Sequence, residues 1–203
     1  MERRSERMEW KRLKQKLLEK LEREGCDPEV KPYLDLVNSV PTLVTSSSCF
    51  GRMLLIDLPD YTKKHSKFLF KSHQPCDPEE VWRELNKCKG KFVWFKVDPL
   101  ILHISCKDIE TAVRFLRAKT RAGIKRGGVF SIAEDRIQIE LEGTYKMELP
   151  VKRGDEILVS EEYFKLVVEE ANKKLKKNAG MWERFAEEFE KEFKDELKAN
   201  TRS

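Results

Sequence analysis

The stretch Ser46-Ser47-Ser48-Cys49-Phe50-Gly51-Arg52 follows directly on an apolar run, Val40 to Thr45, and hands over at once to another, Met53-Leu54-Leu55-Ile56. Small hydroxyls, a thiol, a glycine and an arginine do not belong in a core, because each polar group would need a buried partner. The flanking apolar runs make a plain linker equally unsuitable. Two readings remain. One is a strand, a polar turn whose arginine reads an anion, and a second strand. The other is an ordinary hairpin turn. Both put strands at about 42–45 and 52–58.

Working outward, residues 5–24 read as a charged helix with a narrow apolar stripe at Met8, Leu13, Leu17 and Leu21. Pro28 and Pro32 separate it from a short helix, roughly 33–39. A polar loop, Pro59 to Ser66, leads to a strand at 68–72. Asp77-Pro78-Glu79-Glu80 is a helix start with cap, first-turn proline and capping-box glutamate. Val81, Trp82 and Leu85 face inward from that helix. Strands at about 91–97 and 100–106 are turned by Asp98-Pro99. Asp108 caps a helix with Ile109, Ala112, Val113 and Leu116 at helical spacing, and Gly123 stops it. Short strands follow near 129–133, 136–141 and 144–149. Ser160 caps a long helix that Gly180 interrupts, and a last helix, 181–198, carries Trp182, Phe185, Phe189 and Phe193.

Strands and helices in irregular order predict an α+β (mixed α/β) fold, a single domain with a mixed sheet flanked by helices. No Gly-x-Gly-x-x-Gly follows an early strand, so a Rossmann fold is not supported. The expected organisation is a charged helix at 1–27, an α/β body at 28–178 and a terminal helix at 179–203. The 203 residues suffice for a real core. Lys+Arg number 41 and Asp+Glu 36, a net charge of +5, which permits RNA binding without arguing for it. The five cysteines form no Cys-x-x-Cys pair, so no zinc ribbon or redox pair is readable and no metal is expected. The amino terminus shows no signal-peptide pattern and no run is long enough to span a bilayer. A reducing cytoplasm is the simplest setting.

Alternation along Phe92-Val93-Trp94-Phe95-Lys96 sends Trp94 and Lys96 to one face and Phe95 to the other. By composition alone Trp94 reads as core. His103 lies inside an apolar strand, Leu100 to Ile104. It is either a half-buried histidine bonded to backbone or a base at a pocket floor. His73, in Lys71-Ser72-His73, is by itself a polar strand-end group.

Taken in order, the motifs resemble one family. Ser-Ser-Cys-x-Gly-Arg at 47–52 is followed by Ser72-His73, then Val93-Trp94-Phe95-Lys96-Val97-Asp98-Pro99-Leu100-Ile101-Leu102-His103-Ile104. Ala122-Gly123-Ile124-Lys125-Arg126-Gly127-Gly128 and Leu158-Val159-Ser160-Glu161-Glu162-Tyr163 complete the set. From about Val30 to Asn178 the chain is similar to the tRNA wybutosine-synthesizing protein 3 family in its stand-alone archaeal form. The resemblance implies an S-adenosyl-L-methionine-dependent tRNA methyltransferase. Its target would be the N-4 ring nitrogen of a 4-demethylwyosine-type tricyclic guanosine, next to the anticodon of phenylalanine tRNA. The partner would be that anticodon loop rather than DNA or a membrane.

The resemblance also implies roles. Ser47, Ser48, Cys49, Arg52, Gly127 and Gly128 would hold the cofactor, Arg52 by clamping a carboxylate or phosphate. Trp94 would stack the base, Lys96 would meet phosphate or the cofactor carboxylate, and Lys125 and Arg126 would meet phosphate. His103 and His73 would be the catalytic histidines. Read from the residues alone, Arg117, Lys119, Arg121 and the lysines at 173–177 either extend that phosphate footprint or, for the lysines, form a solvated helix face. The chain departs from the family at Phe50 and at Gly127, where the family has serine. That leaves an alternative, a non-catalytic RNA-binding paralogue or a methyltransferase for another modified nucleoside.

Overall fold

A computed structural model describes residues 2–60, 62 and 64–200. Tyr61 and Lys63 of the expected 59–66 loop lie outside the described residues. The chain forms two compact units, and passes between them at Phe50–Gly51, Pro99–Leu100, Thr144–Tyr145 and Ala179–Gly180.

The first unit holds α1 (Glu2–Glu24), α2 (Lys31–Ser39), β1 (Leu43–Cys49), β5 (Ile101–Cys106), α4 (Ile109–Arg121), β6 (Val129–Ile132) and β7 (Ile137–Glu142). It also holds the end of α5 (Glu161–Glu192) and α6 (Lys194–Asn200). Its sheet is antiparallel, in the order β1-β5-β7-β6. Helices α1 and α2 pack on β1. Trp10 on α1, absent from the expected stripe, is buried and its indole N–H donates to the Pro41 carbonyl at 2.9 Å. Lys14 donates to the carbonyls of Asn38 and Val40 at the end of α2.

The second unit holds β2 (Arg52–Asp57), β3 (Lys67–Ser72), α3 (Pro78–Lys87), β4 (Phe92–Asp98), β8 (Met147–Arg153), β9 (Glu156–Ile157) and the first part of α5. Its sheet is also antiparallel, β3-β2-β4-β8-β9. Met53, Leu55, Val93, Phe95, Val97 and Val151 of the sheet meet Val81, Leu85, Phe164 and Val168 of the helices in one core. Asp77 caps α3 through the Glu79 N–H, and Asp108 caps α4 through the Thr111 N–H, as expected.

The α+β class and the non-Rossmann topology are as expected. Where one mixed sheet was expected, the strands divide into two antiparallel sheets. The serine run is not a turn: β1 continues through Ser46–Cys49, because one face of its sheet lies away from the core and accepts polar residues at alternate positions. Nor is it a hairpin, since β1 pairs with β5 whereas β2 pairs with β3 and β4. Gly180 does not end its helix. Its cost of about 1 kcal/mol in a helix interior is offset by buried neighbours, Met181, Trp182, Phe185 and Phe189. On α4 the buried stripe is Ala112, Phe115 and Ala118, and Ile109 and Val113 face solvent.

Candidate functional site

The expected site residues fall into two groups, one on each unit. On the first, the sheet face away from the core carries a row running across three strands. Ser47 of β1, His103 of β5 and Glu140 of β7 are register neighbours. The Ser47 hydroxyl lies 2.8 Å from His103 Nδ1. His103 Nε2 lies 2.8 Å from a Glu140 carboxylate oxygen. A carboxylate only accepts, so Nε2 carries the proton and donates to Glu140, leaving Nδ1 of the neutral ring to accept from Ser47. The His103 ring lies 5.4 Å from that of Phe130 on the edge strand β6, which is exposed. His103 is half-buried, and the partners of its ring are side chains rather than backbone.

The 123–128 loop borders this row. Gly127 has φ +79°, and a Cβ there would stand 2.3 Å from the Glu140 carbonyl oxygen. This backbone leaves no room for a side chain at 127. Buried Lys119 donates to the Gly127 carbonyl at 3.0 Å, and the Glu140 N–H donates to that of Gly128. Burial pushes the Lys119 ammonium below the usual lysine value. Lys119 therefore fixes the loop. Arg117 and Arg121 are engaged by Glu192, and Arg126 by Glu142 at 3.3 Å, whereas Lys125 is exposed. Cys49 shares the face of Ser47. Ser48, opposite core residue Leu102, takes the other face and does not join the group. Phe50 is stacked with Tyr33 and Trp182, and the Trp182 indole donates to the Phe50 carbonyl at 3.0 Å.

On the second unit, alternation puts Arg52, Leu54 and Ile56 of β2 on the same face as Trp94, Lys96 and Asp98 of β4. They line a cavity of about 450 Å³ with Leu58, Ser66, Phe68 and Glu148. Trp94 is therefore a wall of this cavity and not core, which Phe95 fills instead. Arg52 Nε donates to Asp98 at 3.0 Å and its guanidinium lies 4.9 Å from the centre of the Phe68 ring. Lys96 pairs with Glu148 at 3.0 Å. His73 stands apart from the cavity lining: its Nδ1–H donates to the Gly51 carbonyl at 2.9 Å. It holds a turn in which Gly51 takes φ +105° and packs against Asn178.

Sequence reasoning missed Asp98, Glu148, Glu140, Phe68 and Phe130. Asp98 was findable, since it lies two residues from Lys96 on one strand. The others required strand partners that no local pattern gives. Among the described residues no cluster is placed to hold a metal ion, and no helix is long and apolar enough to cross a membrane.

Comparison with known proteins adds an independent finding. The family model described as Methyltransferase TYW3 matches residues 4–191. A Methanocaldococcus jannaschii protein is 34% identical over 179 residues, 87% of this chain and 90% of that protein. It is named tRNA(Phe) 7-((3-amino-3-carboxypropyl)-4-demethylwyosine(37)-N(4))-methyltransferase. A Danio rerio tRNA wybutosine-synthesizing protein 3 homolog is 30% identical over 167 residues, 80% of this chain and 66% of that protein. A solved Pyrococcus horikoshii structure superposes with a TM-score of 0.84 at 29% identity, covering 90% of this chain and 97% of that one. The match spans both units and every motif that carried the resemblance, and the chain belongs to the Methyltransferase TYW3 family.

Proposed function

We propose that this protein methylates the N-4 ring nitrogen of a 4-demethylwyosine-type tricyclic guanosine beside the anticodon of phenylalanine tRNA. The methyl donor is S-adenosylmethionine, the setting is the cytoplasm, and His103 takes up the proton the nitrogen loses. The observation that carries the mechanism is the row Ser47–His103–Glu140, with both ring nitrogens engaged at 2.8 Å.

When bound, S-adenosylmethionine supplies a methyl group on a sulfonium sulfur, which keeps the bonding pair as the nitrogen–carbon bond forms. The protein has to orient the reactants and remove one proton. Ser47 accepts that proton at Oγ while passing its own to His103 Nδ1. Glu140 accepts from Nε2–H and stabilises the imidazolium so formed. Exposed Phe130, beside the His103 ring, offers a stacking surface for a base.

The donor set suits the cofactor in part, each unit taken by itself. On the second unit the contact with Asp98 engages only Arg52 Nε, and a guanidinium has further N–H donors for a carboxylate. On the first, Cys49 shares the face of Ser47, itself a member of the histidine row. Gly127 and Gly128 shape the loop, and Ser48 faces away. Lys125 and the partly exposed Arg126 remain as phosphate contacts.

The test is nucleoside mass analysis of tRNA from a strain lacking the gene, with purified protein and S-adenosylmethionine added back. The unmethylated tricyclic base should accumulate and then gain one methyl group. Normal methylation in the deleted strain, with no transfer by the purified protein, would refute the proposal.

A further inference from the structure

Two irregularities in the first unit's sheet fall beside the histidine row. The pairing of β1 with β5 slips between Thr45 and Ser47, and that of β6 with β7 between Val129 and Ser131. Ser46 and Phe130 are the extra residues. Bulges of this kind re-aim side chains and are common next to active sites. Here the first brings Ser47 opposite His103. The second turns Phe130 toward the His103 ring while leaving it 55% exposed.

The same strands carry a second polar row. Ser105 of β5, Gln138 of β7 and Ser131 of β6 are register neighbours. Ser105 follows His103 by two residues and Gln138 precedes Glu140 by two, so both rows share one face. The rows lie about 7 Å apart at the usual rise per residue. Gln138 and Ser131 are half-buried. Ser105 is fully buried, and its hydroxyl has no hydrogen-bond partner among the described residues. On the other side of the histidine row, Glu142 pairs with Arg126, beside exposed Lys125.

The two flanks differ in chemistry. An amide presents donors and an acceptor in one plane, the pattern that meets the edge of a base. Arg126 and Lys125 are suited to phosphate. The exposed phenyl ring of Phe130 is a stacking surface. A serine hydroxyl both donates and accepts, so Ser105 can brace the amide from its buried side.

We propose that Gln138 is a specificity-determining residue of this site, reading the ring edge of a base stacked on Phe130. The inference rests on the functional reading for placing the target base at the histidine row.

Binding of synthetic anticodon stem–loops to the full-length protein, without a methyl donor, is the test. One loop carries the tricyclic base, and the other is identical but abasic at that position. The base should raise affinity. Gln138→Met should cut that gain by about fivefold or more, the effect of losing one well-paired base contact. Affinity for the abasic loop should stay unchanged. Phe130→Ala should also shrink the gain, whereas Lys125→Met should weaken both loops alike. Thermal melts identify the folded variants. Gln138→Asn, with the amide on a shorter stem, should also lose part of the gain, and it carries the comparison if Gln138→Met does not fold. No gain in the wild type, a gain unaltered by the Gln138 substitution, or an equal loss for both loops overturns the proposal. Methyl transfer by the wild-type protein is read separately. Its absence, with a gain that depends on Gln138, sinks the functional reading and leaves the base contact standing.

Discussion

A neutral imidazole has one donor and one acceptor, and at His103 neighbours assign both. This arrangement separates a chemical role from a packing role. His103→Ala should slow single-turnover methylation roughly 100- to 10,000-fold, the usual worth of a general base, while tRNA affinity holds. Glu140→Gln keeps a hydrogen-bonding side chain but removes the charge that supports the imidazolium, so it should slow transfer by less than His103→Ala does. A fully active His103→Ala variant that merely melts earlier would make the residue structural. Two neighbouring sites show what residue-level reading could reach. Trp94 and Lys96 were placed on one face by alternation alone. Asp98 was read as a turn because Pro99 follows it, although it is the partner of Arg52 on the same strand face.

Elements respond to glycine in opposite ways at two positions. Gly127 has positive φ and a carbonyl oxygen where a Cβ would go. Gly127→Ser should therefore cost about 1–3 kcal/mol, measured by urea unfolding. Gly180 is interior to α5, and a Cβ there would meet only Arg184 Nη1, at 3.5 Å. Gly180→Ala should stabilise by about 0.5–1 kcal/mol. A destabilised Gly180→Ala would mean that the helix needs glycine there. At the end of α2, burial pushes the Lys14 ammonium down to about 8, from an ordinary value of 10.5. Between those pH values the unfolded chain holds more protons, so this group's contribution to stability rises with pH across that window. The stability of wild type relative to Lys14→Met should therefore increase from pH 8 to pH 10. A difference that stays flat over that range would show that the folded-state value is not depressed.

At the scale of the whole molecule, the sequence disclosed its elements far better than their partners. Caps at Asp77 and Asp108, the α3 face and the aromatic run from Trp182 to Phe193 are local signals, and all were readable. Which strand lies beside which is not local. Nothing near Ser47 says that it will meet His103 rather than Arg52, and nothing near Glu140 points to β5. The serine run misled because polarity usually marks a turn, whereas a strand with one face away from the core tolerates it. The four crossings between units also set an order of events during synthesis. The second unit has all its strands and its core helix once Ala179 has been added. The first unit cannot close until the final segment supplies Trp182, Phe185, Phe189 and Phe193. A nascent chain therefore carries β1, β5, β6 and β7 with part of their apolar cover missing until translation is nearly over. Premature termination after residue 179 would release a chain with one finished unit and one sheet only partly covered, a substrate for chaperones and proteases.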